Sequence, residues 1–288
     1  MPVVYLTDDG GARLRCLDID GYIIPTFNII PNHEQEYRSM PEWQARDDDL
    51  MVCAYPKSGT HWIWEVMCML LQGNAKRIEG IKEACMLEGL AKKTFDEMKS
   101  PRIINTHIYF KHLPKDFLRR HCKIIYMVRN PKDVCVSFFN HHTKILEYEF
   151  DGTWENYVPR FLKGDVDYGS WFDYTLDWER STRRKHGVSN TCCILRDNET
   201  VKRLAKFLEV DLDESVLKQI DEMCQFDKMK KEKNKNENPD EWKDKEPGMY
   251  RKGQVGDWKN WFTVAQSELF DSVYDQKMKN SKVTLRFT

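Results

Sequence analysis

The sequence predicts an α/β fold, one domain over residues 1–288 with a central, mostly parallel sheet flanked by helices. Short apolar runs without polar alternation read as strands covered on both faces. Amphipathic stretches of helical period separate these runs, so successive strands are joined by crossovers rather than hairpins. A chain of 288 residues also buries enough surface to fold without staples.

The first strand is Leu50-Met-Val-Cys-Ala-Tyr55, and a helix over Thr60 to Leu71 follows it directly. Arg102-Ile-Ile-Asn-Thr106 is the second strand. Lys123-Ile-Ile-Tyr-Met-Val128 is the third, with a helix over Lys132 to Leu146 behind it. The stretch from Gly169 to Lys185 carries Trp171, Phe172, Leu176 and Trp178 between charges, as a helix does. Thr191-Cys-Cys-Ile-Leu195 is the fourth strand, and helices over Glu199 to Leu208, Glu214 to Met223 and Val264 to Met278 complete the chain. Ligands of such sheets sit at the carboxyl ends of the strands. Between Asp227 and Gly248 seven lysines oppose seven acids with few apolar residues. This stretch reads as a long solvated loop, either a mobile lid over the site or a tolerated surface insertion.

Lys plus Arg is 45 and Asp plus Glu is 46, a net charge of −1. A global basic field for nucleic acid or anionic membrane is excluded, though a local basic patch is not. The most apolar helical stretch, Trp62 to Leu71, is too short to span a bilayer and contains Glu65. The N-terminal stretch lacks a basic n-region and an apolar core, so a cytoplasmic location is expected. Nine cysteines occur without a C-x-x-C spacing, which suggests reduced, buried thiols and no metal site.

Three clusters carry chemistry. Tyr55-Pro-Lys-Ser-Gly-Thr-His-Trp62 joins a strand to a helix. Such a junction presents successive backbone N–H groups and the positive end of a helix dipole to a phosphate. Gly59 permits close approach, Lys57 adds a charge, and Ser58 and Thr60 add hydroxyls. The lysine precedes the glycine, so this is not a Walker A loop. A plain turn with an exposed Lys57 is the competing reading. Arg129-Asn-Pro-Lys-Asp-Val-Cys-Val-Ser137 follows the third strand. Arg129 and Ser137 can converge on one anion, or Arg129 can simply pair with Asp133. Arg251-Lys-Gly253 precedes a glycine-rich turn and offers a third anion site.

Taken together, the three clusters resemble the cytosolic sulfotransferase family, whose motifs look like Tyr-Pro-Lys-Ser-Gly-Thr-x-Trp, Arg-Asn-Pro/Ala-Lys-Asp-Val-x-Val-Ser and Arg-Lys-Gly-x-x-Gly-Asp-Trp-Lys. The resemblance runs from about Tyr22 to the C-terminus. It implies the P-loop NTPase-like sulfotransferase fold, and transfer of a sulfuryl group from 3′-phosphoadenosine 5′-phosphosulfate (PAPS) to the hydroxyl or amine of a small lipophilic acceptor, with the 3′,5′-bisphosphate (PAP) as product and no metal. It implies that Lys57, Ser58, Gly59, Thr60 and His61 cradle the 5′-phosphosulfate and that Trp62 stacks on adenine. By the same resemblance Arg129 and Ser137 hold the 3′-phosphate, Arg251, Lys252 and Gly253 close over it, and Phe226 and Met229 line the adenine pocket. His107 becomes the general base, and Lys57 steadies the leaving phosphate, with Ser137 beside them. Lys259, Thr263, Val264 and Glu268 match the family's dimer signature and imply a homodimer.

Two positions depart from the pattern. The family usually has Lys two residues before the catalytic His, and here Asn105 stands there. Leu195-Arg-Asp-Asn-Glu-Thr200 replaces the usual Tyr-Glu-Asp-Met segment. These departures motivate the alternative of a nucleotide-binding protein of the same fold with weak or no turnover. A P-loop kinase is a third reading. Phe138, Phe139, His141, His142, Tyr22 to Phe27, Tyr109, Phe110, Tyr148 and Phe150 are candidates for an aromatic acceptor pocket or for the core.

Overall fold

The computed structural model describes residues 3–26, 30–183, 191–194, 199–233, 237–246 and 248–288. Its strands are β1 (Val3–Thr7), β2 (Arg13–Ile19), β3 (Tyr22–Ile24), β4 (Leu50–Ala54), β5 (Ile103–Thr106), β6 (Lys123–Met127) and β7 (Thr191–Ile194). Its helices are α1 (His33–Ser39), α2 (Thr60–Gln72), α3 (Lys92–Glu97), α4 (Lys115–Arg119), α5 (Pro131–Lys144), α6 (Trp154–Lys163), α7 (Trp171–Arg183), α8 (Thr200–Leu208), α9 (Glu214–Met223), α10 (Phe226–Lys233) and α11 (Val264–Met278).

The four expected strands form one parallel sheet in the order β5-β4-β6-β7. Period-two alternation divides their side chains between two cores. Met51, Cys53, Ile104, Ile124 and Tyr126 enter one, with Phe138, Phe161, Trp171 and Phe270 of α5, α6, α7 and α11. Leu50, Val52, Ala54, Ile125 and Met127 enter the other, with Ile63, Val66 and Leu70 of α2, Leu204 of α8 and Ile220 of α9. Both faces are therefore apolar, which is why the runs showed no alternation of polarity. The helix after β4 and the helix after β6 pack on opposite faces. The gap between the carboxyl ends of these neighbouring strands is the switch point where such sheets bind ligands.

Helix boundaries follow local chemistry. α5 begins at Pro131 rather than Lys132, because the Asn130 side chain accepts from the Asp133 N–H and proline suits the first helical position. It ends at Lys144, two residues before the expected Leu146, because Ile145 turns extended and bridges Trp242.

Two features escape the sequence reading. Residues 3–24 carry an antiparallel sheet, β1-β2-β3, whose Leu14, Cys16 and Leu17 join the first core. The expectation for 227–248 also needs correction. Residues up to Lys233 continue α10, and Met229, Lys233 and Trp242 are buried. The Lys233 ammonium pairs with buried Glu65, so a charge that composition assigns to solvent enters the interior with its partner.

Candidate functional site

The loop after β4 is shaped for an anion. Lys57 has a left-handed backbone (φ 64°), uncommon for a residue with a side chain. Gly59 at φ 106° is the N-cap of α2, a conformation that a Cβ disfavours. No side chain caps this helix end, so its first N–H groups stay available. The Ser58 Oγ and Thr60 Oγ1 are buried with no hydrogen-bond partner among the described residues. Buried hydroxyls without partners beside an uncapped helix N-terminus fit a phosphate group.

The second and third clusters are tied to this loop and to each other. Arg129 Nη1 donates to the Lys57 carbonyl (3.0 Å), and Nη2 to the Gln254 carbonyl (3.5 Å). The buried Asp133 carboxylate accepts from Gly256 N–H (2.8 Å), Trp258 N–H (3.0 Å) and Asn130 Nδ2 (2.9 Å). Asp133 is therefore the clasp that holds the 251–258 loop against the start of α5, while the Arg129 guanidinium donates to the Lys57 and Gln254 carbonyls instead. In this state Arg251 (2.6 Å) and Lys252 (2.7 Å) both pair with Asp257. Burial pushes Asp257 up, yet the hydrogen bonds from Lys252, Asn260 and Arg251 hold it well below the usual carboxylate range. Gly253 is required by packing, since a Cβ there would lie 2.1 Å from the Phe226 ring.

His107 directly follows β5. Its Nδ1 lies 2.7 Å from the Ala54 carbonyl at the end of β4. A carbonyl can only accept, so Nδ1 carries the proton and Nε2 is left with a lone pair. Burial, and then the Lys82 charge, bring this imidazole down to about 3, so it is neutral at working pH. Burial likewise lowers the Lys57 ammonium to about 7, with Lys82 and Arg129 adding to the effect against Glu237. Lys57 Nζ sits 3.0 Å from Met249 Sδ and 3.5 Å from His141 Nδ1. Glu237 faces the same space, raised by burial to about 7.

Lys57, His107, Arg129, Arg251, Lys252 and Glu237 open on one cavity of about 1120 Å³. Lys57 to Trp62, His107, Arg129 and Ser137 line it, as do Phe226, Met229 and Arg251 to Gly253, so every residue predicted for catalysis or nucleotide binding is brought together. The aromatic candidates divide. Phe138, His141 and Tyr148 line the cavity, as does Thr26 of the Tyr22 to Phe27 stretch. Phe139 instead packs on Trp154, Tyr157 and Trp261, Phe110 on Trp178, and Phe150 is core. Tyr22 and Tyr109 pack edge to face (5.6 Å) away from the cavity. His142 bonds to Asp167 (2.7 Å) and Tyr157 (2.8 Å). Interior positions took these rings because an aromatic side chain serves core and pocket equally well. Phe27 and 195–198 lie outside the described residues.

Sequence reasoning missed Lys82, Glu83, Glu237 and Tyr250, which also line the cavity. Glu83 binds His61 Nε2 (2.8 Å), and Tyr250 meets the His61 ring edge to face at 5.7 Å. Lys82 and Glu83 sit in an unremarkable charged stretch and gave no signal. Tyr250 directly precedes Arg251, and its place there was the available one. Among the described residues, no group of three or more His, Cys, Asp or Glu is placed to hold a metal ion, and no helix is long and apolar enough to cross a membrane.

Residues 47–282 match the model of the sulfotransferase domain family. The chain is 35% identical to sulfotransferase 1E1 of Bos taurus over 88% of its own length and 90% of the relative's. It is 38% identical to sulfotransferase 1B1 of Mus musculus, over 87% and 89%. Among solved structures it resembles mouse sulfotransferase SULT7A1 complexed with PAP, at TM-score 0.74 and 33% identity, covering 92% of this chain and 95% of that one.

Proposed function

This chain belongs to the sulfotransferase family and is a sulfotransferase that draws its sulfuryl group from PAPS, and on that premise we propose how its residues divide the work. Lys57, Ser58, Gly59, Thr60 and His61 hold the 5′-phosphosulfate, and Trp62, Phe226 and Met229 hold the adenine. Arg129, Ser137, Arg251, Lys252 and Gly253 hold the 3′-phosphate. The observation that carries this reading is the pair of buried hydroxyls of Ser58 and Thr60, without a hydrogen-bond partner among the described residues, beside the uncapped end of α2.

The Nε2 lone pair of His107 accepts the acceptor's proton. The acceptor oxygen or nitrogen bonds to sulfur while the sulfur–oxygen bond to the 5′-phosphate breaks, and that electron pair leaves on the phosphate. Lys57 stabilises the charge arriving there. The acceptor is a small lipophilic alcohol, phenol, steroid or amine. Phe138, Tyr148, Tyr168 and Ile145 on the cavity wall support that choice.

Residues 1–288 act as one domain, whose 227–248 stretch, helical as far as Lys233, closes over the cavity, and the protein works in the cytoplasm. It pairs as a homodimer through Lys259, Thr263, Val264 and Glu268. All four are exposed, and Val264, 76% exposed, is an apolar residue with no cover in the single chain. The deciding experiment is calorimetric titration with PAP, with adenosine 5′-phosphate as control. Binding that requires the 3′-phosphate, followed by transfer from PAPS to a phenol, is the expected result. Equal affinity for the two nucleotides would refute the assignment.

A further inference from the structure

Asn105 leaves the strand before His107 without a cation, yet the cavity has one at that place. The Lys82 side chain is 4% exposed and lines the cavity. Its Nζ donates to Asn105 Oδ1 at 3.3 Å and lies 3.4 Å from Glu83 Oε1. A buried ammonium has three donors to satisfy, and the two long contacts it makes among the described residues compensate it only in part. An anionic guest would complete the set. Glu83 is also shared with His61 Nε2 (2.8 Å), which reduces what it offers Lys82.

The turn that carries Lys82 is bolted to β5 at successive residues. Asn105 Nδ2 donates to the Lys82 carbonyl (2.6 Å), and Met86 bridges Asn105 as a parallel neighbour. One residue on, Thr106 Oγ1 donates to Glu88 Oε2 (2.6 Å), and the His107 N–H donates to Glu88 Oε1 (2.8 Å). Lys82 is thereby held in a constant relation to the imidazole, and its charge acts on both His107 and Lys57.

We infer that Lys82 is a catalytic cation for the sulfuryl group, delivered from the turn before β5, and that Asn105 is its positioning residue. Resting on the function proposed above, this assigns the charge that Asn105 removes from the strand to a different element of the chain. Lys57 then meets the departing phosphate oxygen, while Lys82 meets the non-bridging sulfuryl oxygens as the acceptor attacks. Asn105 takes the shape it has because a lysine there would set a second ammonium against the first. An amide offers its oxygen to the ammonium and its nitrogen to the carbonyl of the same lysine.

The test compares wild type, K82Q, K82R, N105A and K82Q/N105A. Calorimetry with PAP and with PAPS, without acceptor, accompanies initial rates of transfer to a phenol. K82Q should lower kcat by about 10²- to 10³-fold, as loss of one transition-state donor does. It should weaken PAPS about tenfold, the worth of one charged hydrogen bond, and leave PAP, which lacks the sulfuryl group, little changed. K82R should recover much of the rate. N105A should be impaired, and K82Q/N105A should be no worse than K82Q, because the two residues act as one unit. A wild-type rate in K82Q would overturn the inference. So would parallel losses of PAP and PAPS affinity, which would make Lys82 a structural contact, or a K82R no better than K82Q. A wild type that neither binds PAP nor transfers would overturn the parent reading itself, and this one with it.

Discussion

Replacing Asp133 with asparagine tests how the site is assembled. The buried carboxylate accepts three hydrogen bonds, two on Oδ2 from Asn130 and Gly256 and one on Oδ1 from Trp258. An amide offers a single acceptor oxygen. Placed toward Gly256, it turns its NH₂ against the Trp258 N–H. Placed toward Trp258, it abandons the other two donors. Either way at least one buried backbone donor is orphaned and every remaining bond loses its charge. With charged hydrogen bonds contributing about 1.5–3 kcal/mol and an orphaned group costing about 1–3, the loss should be about 2–4 kcal/mol. That corresponds to a fall in Tm of about 3–7 °C for a chain of this size. Much of it falls on the 251–258 loop, whose binding-competent arrangement would be less populated, and affinity drops by that fraction. A local shift of about 1.4 kcal/mol predicts PAP binding about tenfold weaker, with adenosine 5′-phosphate, which lacks the group this loop holds, less affected. Calorimetry and thermal melts on the same samples decide it. A lowered Tm with unchanged PAP affinity would refute the role of Asp133 as the clasp of the nucleotide loop.

His107→Ala should abolish transfer while leaving PAP affinity nearly intact, since the ring meets only the acceptor's proton; equal loss of both would remove His107 as the base. Arg251→Ala should weaken PAP by at most about 1.5–3 kcal/mol, read by calorimetry, as one charged contact among several whose gain is reduced by the Asp257 pairing it replaces. The Lys57 ammonium, lowered to about 7, loses its proton as pH rises through that value, so PAP affinity of the free enzyme should decline between about pH 7 and 9. Lys57→Arg should flatten that decline, and a wild-type profile level across the range would contradict a desolvated lysine. Val264→Glu should give a monomer by analytical ultracentrifugation, and a persistent dimer would move the interface elsewhere.

Much of this protein was readable from the residues in order. Strand–loop–helix junctions announce themselves locally: an apolar run, then Lys57 to Thr60 with its one glycine, then a helical pattern. The four sheet strands and the helix after each nucleotide cluster were therefore legible within a residue or two. The N-terminal strands were not, because β1 buries none of its side chains fully and β2 mixes charges with apolar residues, and only the first core shows which of them face inward. The lysine-rich stretch misled for a related reason. Composition counts charges singly, whereas burial depends on pairs, and Glu65 is 168 positions from Lys233 in sequence.

The division at the site follows the same physics. Residue types near one another in sequence pointed to phosphate binding at strand ends and determined what family the chain joins. Tertiary structure alone decided the rest. It selected which aromatics face the cavity, set Asp133 as the link between two distant loops, fixed the His107 tautomer through the Ala54 carbonyl, and restored a cation beside Asn105 from Lys82. Each of these depends on electrostatics and packing between groups that the fold brings within a few ångströms, and no separation along the chain encodes such a distance.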